Sequence, residues 1–288
     1  MSDTDTARNA AQIAYWNSEA GPRWVAMQER MDAMLAPLMT AALDRARPTV
    51  GETVLDVGCG CGATLLALAD RIGPDGSVLG VDISAPMLDR ARERVRDSAM
   101  RSVRLSLSDA AVHAFEPGAF DLAFSRFGVM FFDDPDRAFA NIRTALAATG
   151  RLAFVCWAPP RDNPWLTVPL TVARQHLPPQ PESDPSAPGP FAFADPDRVS
   201  GILTRAGYSA IDIARHDTSM RICGPGEAEQ AAHFAMESGP VGRAMAGAEP
   251  VARAAAEQAI LAEFRQLEGP GGIALPGSVW LVSARPGN

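Results

Sequence analysis

The stretch 54-VLDVGCGCGATLLALA-69 decides the fold. A short apolar run carries an acid, Asp56, near its end. A glycine-rich turn follows, and then an apolar segment of helical character, so the stretch reads as strand, tight turn, helix. The same grammar repeats downstream. Thr53–Val57 is the first strand and Ala63–Arg71 its helix, closed by the turn Gly73-Pro74-Asp75-Gly76. Ser77–Val81 ends at Asp82, and Ser84 is placed to cap a helix running to about Arg96. Val103–Leu107, Phe120–Ser125 and Arg151–Trp157 give three more strands, with a helix over 135–148 before the last of them. Strands alternating with helices imply a parallel sheet covered on both faces, an α/β doubly wound architecture.

Upstream, residues 9–47 read as helical with an interruption near Gly21-Pro22, their apolar positions including Trp16, Trp24, Met27, Met31, Met34, Leu35 and Leu38. Downstream, 178–196 is a proline-rich loop, Asp197–Arg205 a helix, Ser209–Ala214 a sixth strand, 226–267 mostly helical, and Val279–Ala284 a final strand. The chain therefore divides into an N-terminal helical segment (1–48), a cofactor-binding core (49–158) and a C-terminal part (159–288) that completes the sheet, all within one continuous domain. Two pieces, 158–195 and 217–275, read as insertions that form a helical cap over the active face.

Composition narrows the partners. The 288 residues are 47% hydrophobic and 21% charged, enough to bury a sizeable core. No apolar run approaches the ~18 residues of a membrane span. The polar start MSDTDTARNA lacks a signal-peptide core, so the expected location is cytoplasmic. Net charge is −8 and no basic cluster occurs, which argues against nucleic acid, since neutralising phosphates needs concentrated basic residues. All 26 basic residues are arginine. Without lysine there is no Schiff base to a pyridoxal cofactor and no phosphate-loop nucleotide hydrolysis. Cys59 and Cys61 lie inside the glycine turn at the wrong spacing for zinc, and no metal is expected. Oligomeric state is not encoded in any feature of the sequence.

Which nucleotide the turn holds is the open question. Gly58, Gly60 and Ala63 satisfy the dinucleotide pattern G-x-G-x-x-G/A; Asp56, Gly58, Gly60 and Gly62 also make D-x-G-x-G-x-G. Beside a pyrophosphate, the Asp56 carboxylate would add repulsion. Beside an ammonium or sulfonium it adds attraction, in a partly buried place where charge counts for more. Asp56 thus either favours a cationic ligand, S-adenosylmethionine, over NAD, or serves as a turn-former that accepts backbone N–H bonds. Asp82, 20 residues beyond Gly62, can accept both ribose hydroxyls of either. Asp109 can accept an adenine amino group or cap a helix.

VLDVGCGCG (54–62), VLGVDISAPML (78–88), SLSDAA (106–111) and FDLAFSRFGVMFF (120–132), in this order and spacing, resemble class I S-adenosylmethionine-dependent methyltransferases, most closely the branch that includes ubiquinone and menaquinone C-methyltransferases. The resemblance covers residues 50–157 well and the C-terminal third barely. It implies a Rossmann-like, mostly parallel seven-stranded sheet whose last strand, Val279–Ala284, is antiparallel. It implies that Asp56, Gly58, Gly60 and Gly62 surround the methionine part of the cofactor and that Asp82 holds the ribose. Ile83 and Met87 would lie near the adenine, Asp109 and Ala110 at its edge, and Ser125 and Arg126 would face the methionine part and the acceptor. The long helical segment between the sixth and seventh strands departs from the short hairpin of many relatives.

The expected activity is methyl transfer by in-line displacement to a small, mainly apolar acceptor such as a phenol, quinol or secondary metabolite. The alternatives are an NAD-dependent oxidoreductase and a protein that binds S-adenosylmethionine without methylating. Ser125-Arg126-Phe127-Gly128 lacks the Asn-Pro-Pro-Tyr pattern of adenine-N6 and glutamine methyltransferases, and Cys59 and Cys61 are poorly placed for the thiol set of arsenite methyltransferases. No catalytic base stands out among His113, His176, His216 and His233. Trp16 and Trp24 are candidates to fold over the cofactor, where an aromatic face favours a sulfonium. Arg126 has Asp121, Asp133 and Asp134 as nearby partners or can hold an anionic group.

Overall fold

The computed structural model describes residues 9–18, 20–98, 100, 102–179, 184–245 and 247–287. Seven strands form one sheet in the order β3-β2-β1-β4-β5-β7-β6. These are β1 (Thr53–Val57), β2 (Ser77–Asp82), β3 (Val103–Leu107), β4 (Phe120–Arg126), β5 (Leu146–Trp157), β6 (Tyr208–Cys223) and β7 (Ile273–Pro286). β1 to β5 pair in parallel, and β7 runs antiparallel to both β5 and β6. The chain order reverses between β1 and β4, so the turn after β1 opens into the crevice where such sheets bind ligands.

Helices follow the expected alternation. α1 (Ala10–Ser18), α2 (Ala20–Ala26) and α3 (Gln28–Ala46) precede the sheet; α4 (Ala63–Ile72) and α5 (Ala85–Ser98) join the first three strands. α3 packs on α4 and on β4 to β7, and α4 on α5. Across the sheet, α6 (Pro135–Ala145) packs on β5 and on α8 (Pro196–Arg205), which covers β6. That second layer is aromatic: Phe139, Phe154 and Phe193 cluster, and the Tyr208 hydroxyl donates to Phe139 O at 3.2 Å.

Four details depart from the sequence reading. The N-terminal helices break a second time at Met27, which leaves helical geometry; Gly21 and Pro22 lie within α2, just after α1 ends at Ser18. Pro22 falls in the first turn, where its missing N–H costs nothing. α6 stops at Ala145 because the chain enters β5 early, pairing Leu146 with Phe120 ahead of a bulge. β6 and β7 are much longer than the apolar cores that signalled them; they pair from Tyr208–Pro286 to Cys223–Ile273 and, beyond the reach of β5, continue as a two-stranded ribbon over 217–223 and 273–278. The insertion between them is thus 224–272 rather than 217–275. Ser84 does not cap α5 with its side chain. Its hydroxyl donates to Trp16 O at 2.8 Å, and the side chain of Asn17 caps from 68 residues away, accepting from Ala85 N at 2.9 Å.

The ribbon carries the cap. α9 (Ala228–Glu237), α10 (Gly239–Met245) and α11 (Pro250–Leu267) pack on α7 (Pro164–Arg174), a helix hidden from the sequence reading by its two prolines, Pro164 and Pro169. Pro164 starts α7 and Pro169 is buried within it. Arg30 of α3 locks this cap to the core: its guanidinium donates to Gln230 O and Ile222 O and lies 4.6 Å over the Phe234 ring. Among the described residues, no helix is long and apolar enough to cross a membrane.

Candidate active site

Ten of the eleven residues singled out from the sequence lie at the carboxyl ends of β1 to β4 or on the turns that follow them, and Met87 lies in the first turn of α5. β1 is central, pairing with β2 on one side and β4 on the other, and so delivers Asp56 into the crevice. Gly58, Gly60 and Gly62 have φ of 69°, 54° and 87°. At Gly58 a side chain is also excluded sterically, since a Cβ there would meet Gly128 Cα at 2.8 Å. The turns after β1 and β4 are in backbone contact, a juncture possible only with glycine on both sides.

Asp56 is fully buried. Thr64 donates to its Oδ2, and its Oδ1 has no hydrogen-bond partner among the described residues. Burial pushes its pKa up to about 7, against the opposing pull of the Thr64 hydrogen bond and the Arg126 charge. Arg126, at the end of β4, is the matching cation. Its Nη2 lies 3.5 Å from Asp32 Oδ1, and its buried Nη1 has no partner among the described residues. Burial lowers its pKa, opposed by Asp32 and Asp56. A buried acid and a buried guanidinium therefore each keep one polar atom unengaged beside the glycine turn.

Asp82 closes β2. Its Oδ2 accepts from Gly60 N at 2.8 Å and its Oδ1 from Ser84 N at 2.9 Å. Burial raises its pKa, opposed by these backbone hydrogen bonds. Each carboxylate oxygen retains a lone pair for a further donor. Met87 is buried, with its Cε 3.0 Å from where a Cβ on Gly60 would stand. Ile83 O accepts from Asn17 Nδ2 at 2.8 Å. After β3, Asp109 Oδ1 accepts from Ala111 N and Oδ2 from Asn9 Nδ2, both at 2.9 Å. Ala110 is buried and its carbonyl accepts from Asn141. The Ser125 hydroxyl is engaged inside the fold, donating to Val57 O at 2.7 Å and accepting from Gly128 N at 3.2 Å. It ties the β4 turn to β1.

The expected partners of Arg126 are replaced. Asp121 instead accepts from Thr53 N at 2.9 Å, and Asp134 caps α6. The residue the sequence reading missed is Asp32 on α3, which also holds Arg94 at 2.9 Å and accepts from Gln28 at 2.6 Å. Arg94 in turn donates to Cys61 O at 2.7 Å, so α3 and α5 brace the turn together. The available signal was two polar residues four apart, Gln28 and Asp32, on the helix face that also carries Met31 and Leu35. Asn9 and Asn17, now tied to the turns after β3 and β2, had no local signal.

Beyond Arg126 the walls become aromatic. Phe127 has φ of 61°, rare for a bulky residue, and stacks on Trp157 at 4.3 Å with planes 8° apart. Trp157 meets Trp165 of α7 at 5.0 Å, and Trp165 lines a small cavity with Leu166, Ile222, Phe234, Val241 and Phe264. Trp16 packs edge-on against Trp24 and Phe131. None of the four histidines lines this cavity. His176 and His233 are exposed on the cap, and His113 packs on Phe115.

Residues 54–150 match a family described as a methyltransferase domain. An aklanonic acid methyltransferase from Streptomyces sp. (strain C5) is 33% identical over 153 residues, covering 50% of this chain and 68% of that protein. A nocamycin O-methyltransferase from Saccharothrix syringae is 30% identical over 193 residues, covering 64% of this chain and 69% of that protein. Among solved structures, phosphoethanolamine N-methyltransferase 2 of Haemonchus contortus, in complex with phosphomonomethylethanolamine and S-adenosylhomocysteine, superposes with a TM-score of 0.54. At 19% identity over 88% of this chain and 53% of that one, this is a likeness of fold, and the chain spans about half the length of that structure.

Proposed function

Because this chain belongs to the class I S-adenosylmethionine-dependent methyltransferases, we propose that it methylates a small, mainly apolar acceptor held between the Phe127–Trp157 stack and the helical cap. The observation that carries the reading is the pair of buried, unengaged atoms beside the glycine turn, Asp56 Oδ1 and Arg126 Nη1. An amino acid offers an ammonium and a carboxylate at close quarters, and this pair is complementary to both. A dinucleotide would set a phosphate against the Asp56 carboxylate. The residues present therefore fit the methionine end of the cofactor, with Asp82, Ile83 and Met87 assigned to the ribose and adenine, and Asp109 and Ala110 to the adenine edge.

When bound, the cofactor supplies a sulfonium methyl, an activated group that needs little further activation. The protein's part is to hold, orient and exclude water. Asp56 and Arg126 fix one end from positions set by the fold, with Asp56 giving up its proton as the ammonium arrives. Positioning of this kind is worth up to ~7–11 kcal/mol. The aromatic stack excludes water from the acceptor side. Phe127, Trp157 and Trp165 carry no titratable side chain, which favours an acceptor whose own hydroxyl is acidic, such as a phenol, an enol or a carboxylic acid. The names of the two relatives, an aklanonic acid methyltransferase and a nocamycin O-methyltransferase, support a small-molecule acceptor of this kind.

Calorimetric titration with S-adenosylmethionine, S-adenosylhomocysteine and NADH tests the cofactor half. Micromolar binding of the first two and none of the third is expected; binding of NADH alone would overturn the assignment of Asp56. A panel of hydroxylated aromatic acceptors against labelled S-adenosylmethionine tests the other half, and transfer only to hydrophilic amines would refute the apolar reading.

A further inference from the structure

Helix α1 is fastened at both ends across the mouth of the crevice. At its start, Asn9 Nδ2 donates to Asp109 Oδ2 at 2.9 Å, on the turn after β3. At its end, Asn17 Nδ2 donates to Ile83 O at 2.8 Å and Ser84 Oγ to Trp16 O at 2.8 Å, on the turn after β2. Eight residues of helix span ~12 Å. The two anchors therefore bracket the gap between the β2 and β3 turns, the place assigned above to the adenine.

Gln12 lies between the anchors, on the same helix face as Asn9 and Trp16 by its i, i+3, i+7 spacing. Two amide oxygens on this face, Asn9 Oδ1 and Gln12 Oε1, are buried and have no hydrogen-bond partner among the described residues. The orientation of Asn9 is fixed because its other amide atom must be the nitrogen that donates to the Asp109 carboxylate. Buried amide oxygens on the helix that bridges the turns after β2 and β3 call for N–H donors, since leaving them unsatisfied is costly.

We propose that Asn9 and Gln12 read the exocyclic amino group of the cofactor's adenine, so that the N-terminal helix is the second wall of the cofactor site. The inference rests on the placement of the adenine between the β2 and β3 turns. Adenine offers two N–H donors at its 6-position. A 6-oxo purine offers an acceptor there and would set oxygen against oxygen. The helix thus supplies discrimination for the base as well as cover.

The test is calorimetry on the full chain with S-adenosyl-L-homocysteine and its 6-oxo counterpart, S-inosyl-L-homocysteine. Wild type should prefer the adenosyl ligand. Gln12→Leu should weaken that ligand about three- to ten-fold, the equivalent of one hydrogen bond, and should not weaken the inosyl ligand, so the preference narrows. Gln12→Glu keeps an acceptor and should keep the preference. Thermal melts identify any variant that fails to fold, and Gln12→Ala then carries the comparison, with the same narrowing of the preference expected. Equal weakening of both ligands, or no change in either, would overturn the proposal by leaving α1 a structural role. Failure of wild type to bind either ligand would instead strike down the cofactor reading beneath it.

Discussion

Asp56 meets two opposed demands, burial and charge, and its protonation shows which one prevails. In the free protein burial holds its pKa near 7, above an ordinary carboxylate value of 3.8. A carboxyl that binds its proton more tightly when folded contributes full stability below its unfolded pKa, and that contribution is lost as pH rises through 7. The melting temperature of the ligand-free protein should therefore carry a declining component between about pH 4 and 7 that Asp56→Asn removes, as thermal melts across that range would record. An ammonium beside Oδ1 reverses the preference, so cofactor binding near pH 6 to 7 should expel up to about one proton. Calorimetry in two buffers of different ionisation enthalpy measures it, and Asp56→Asn should release none. Asp56 and the three glycines were legible in the sequence because their roles depend on neighbours within a few residues. The partner of Arg126 was not: Asp32 stands 94 positions away, and only the docking of α3 brings it there.

At the level of elements, the strands of the core announced themselves by apolar runs bounded by turns, and their parallel pairing followed from strand–helix alternation. α7 and the ends of β6 and β7 did not. α7 begins on one proline and contains another, which masks a helix in any local reading. β6 continues through Arg215, Asp217 and Arg221 because it is an edge strand with a solvent face, where charge is tolerated and discourages pairing with other chains. α1 shows a different dependence. It buries no residue fully and is held chiefly by borrowed contacts, Asn17 giving one hydrogen bond to Ile83 and taking one from Ala85. Asn17→Ala should cost about 1 kcal/mol through the lost cap of α5. Amide exchange across 10–18 should quicken markedly while the sheet stays protected. Unchanged exchange would mean that Trp16 packing alone holds the helix.

Over the whole molecule, the cofactor crevice and the cap are built from distant parts of the chain and share one hydrophobic core. Arg30 is the chief rivet, with two carbonyl acceptors and an aromatic face. Arg30→Ala should destabilise by about 2–3 kcal/mol, since hydrogen bonds from a charged group are lost at a half-buried place. Arg30→Lys should recover only part of this, because an ammonium cannot bridge both carbonyls from one plane. Urea denaturation of the three proteins reads the ranking, and equal stability of Lys and Arg would assign the effect to charge alone. That such a cap existed was readable from the helical stretch at 226–267; where it docked was not, since no local pattern encodes Arg30 reaching Ile222. The strand order adds a consequence for biosynthesis. β7 follows β6 in the chain, yet it lies between β5 and β6 and pairs with both. Until residues 273–286 have left the ribosome, β5 presents a bare edge and β6 has no neighbour at all. A nascent or prematurely terminated chain is therefore sticky and open to proteases, and the finished sheet certifies that translation has passed Ile273.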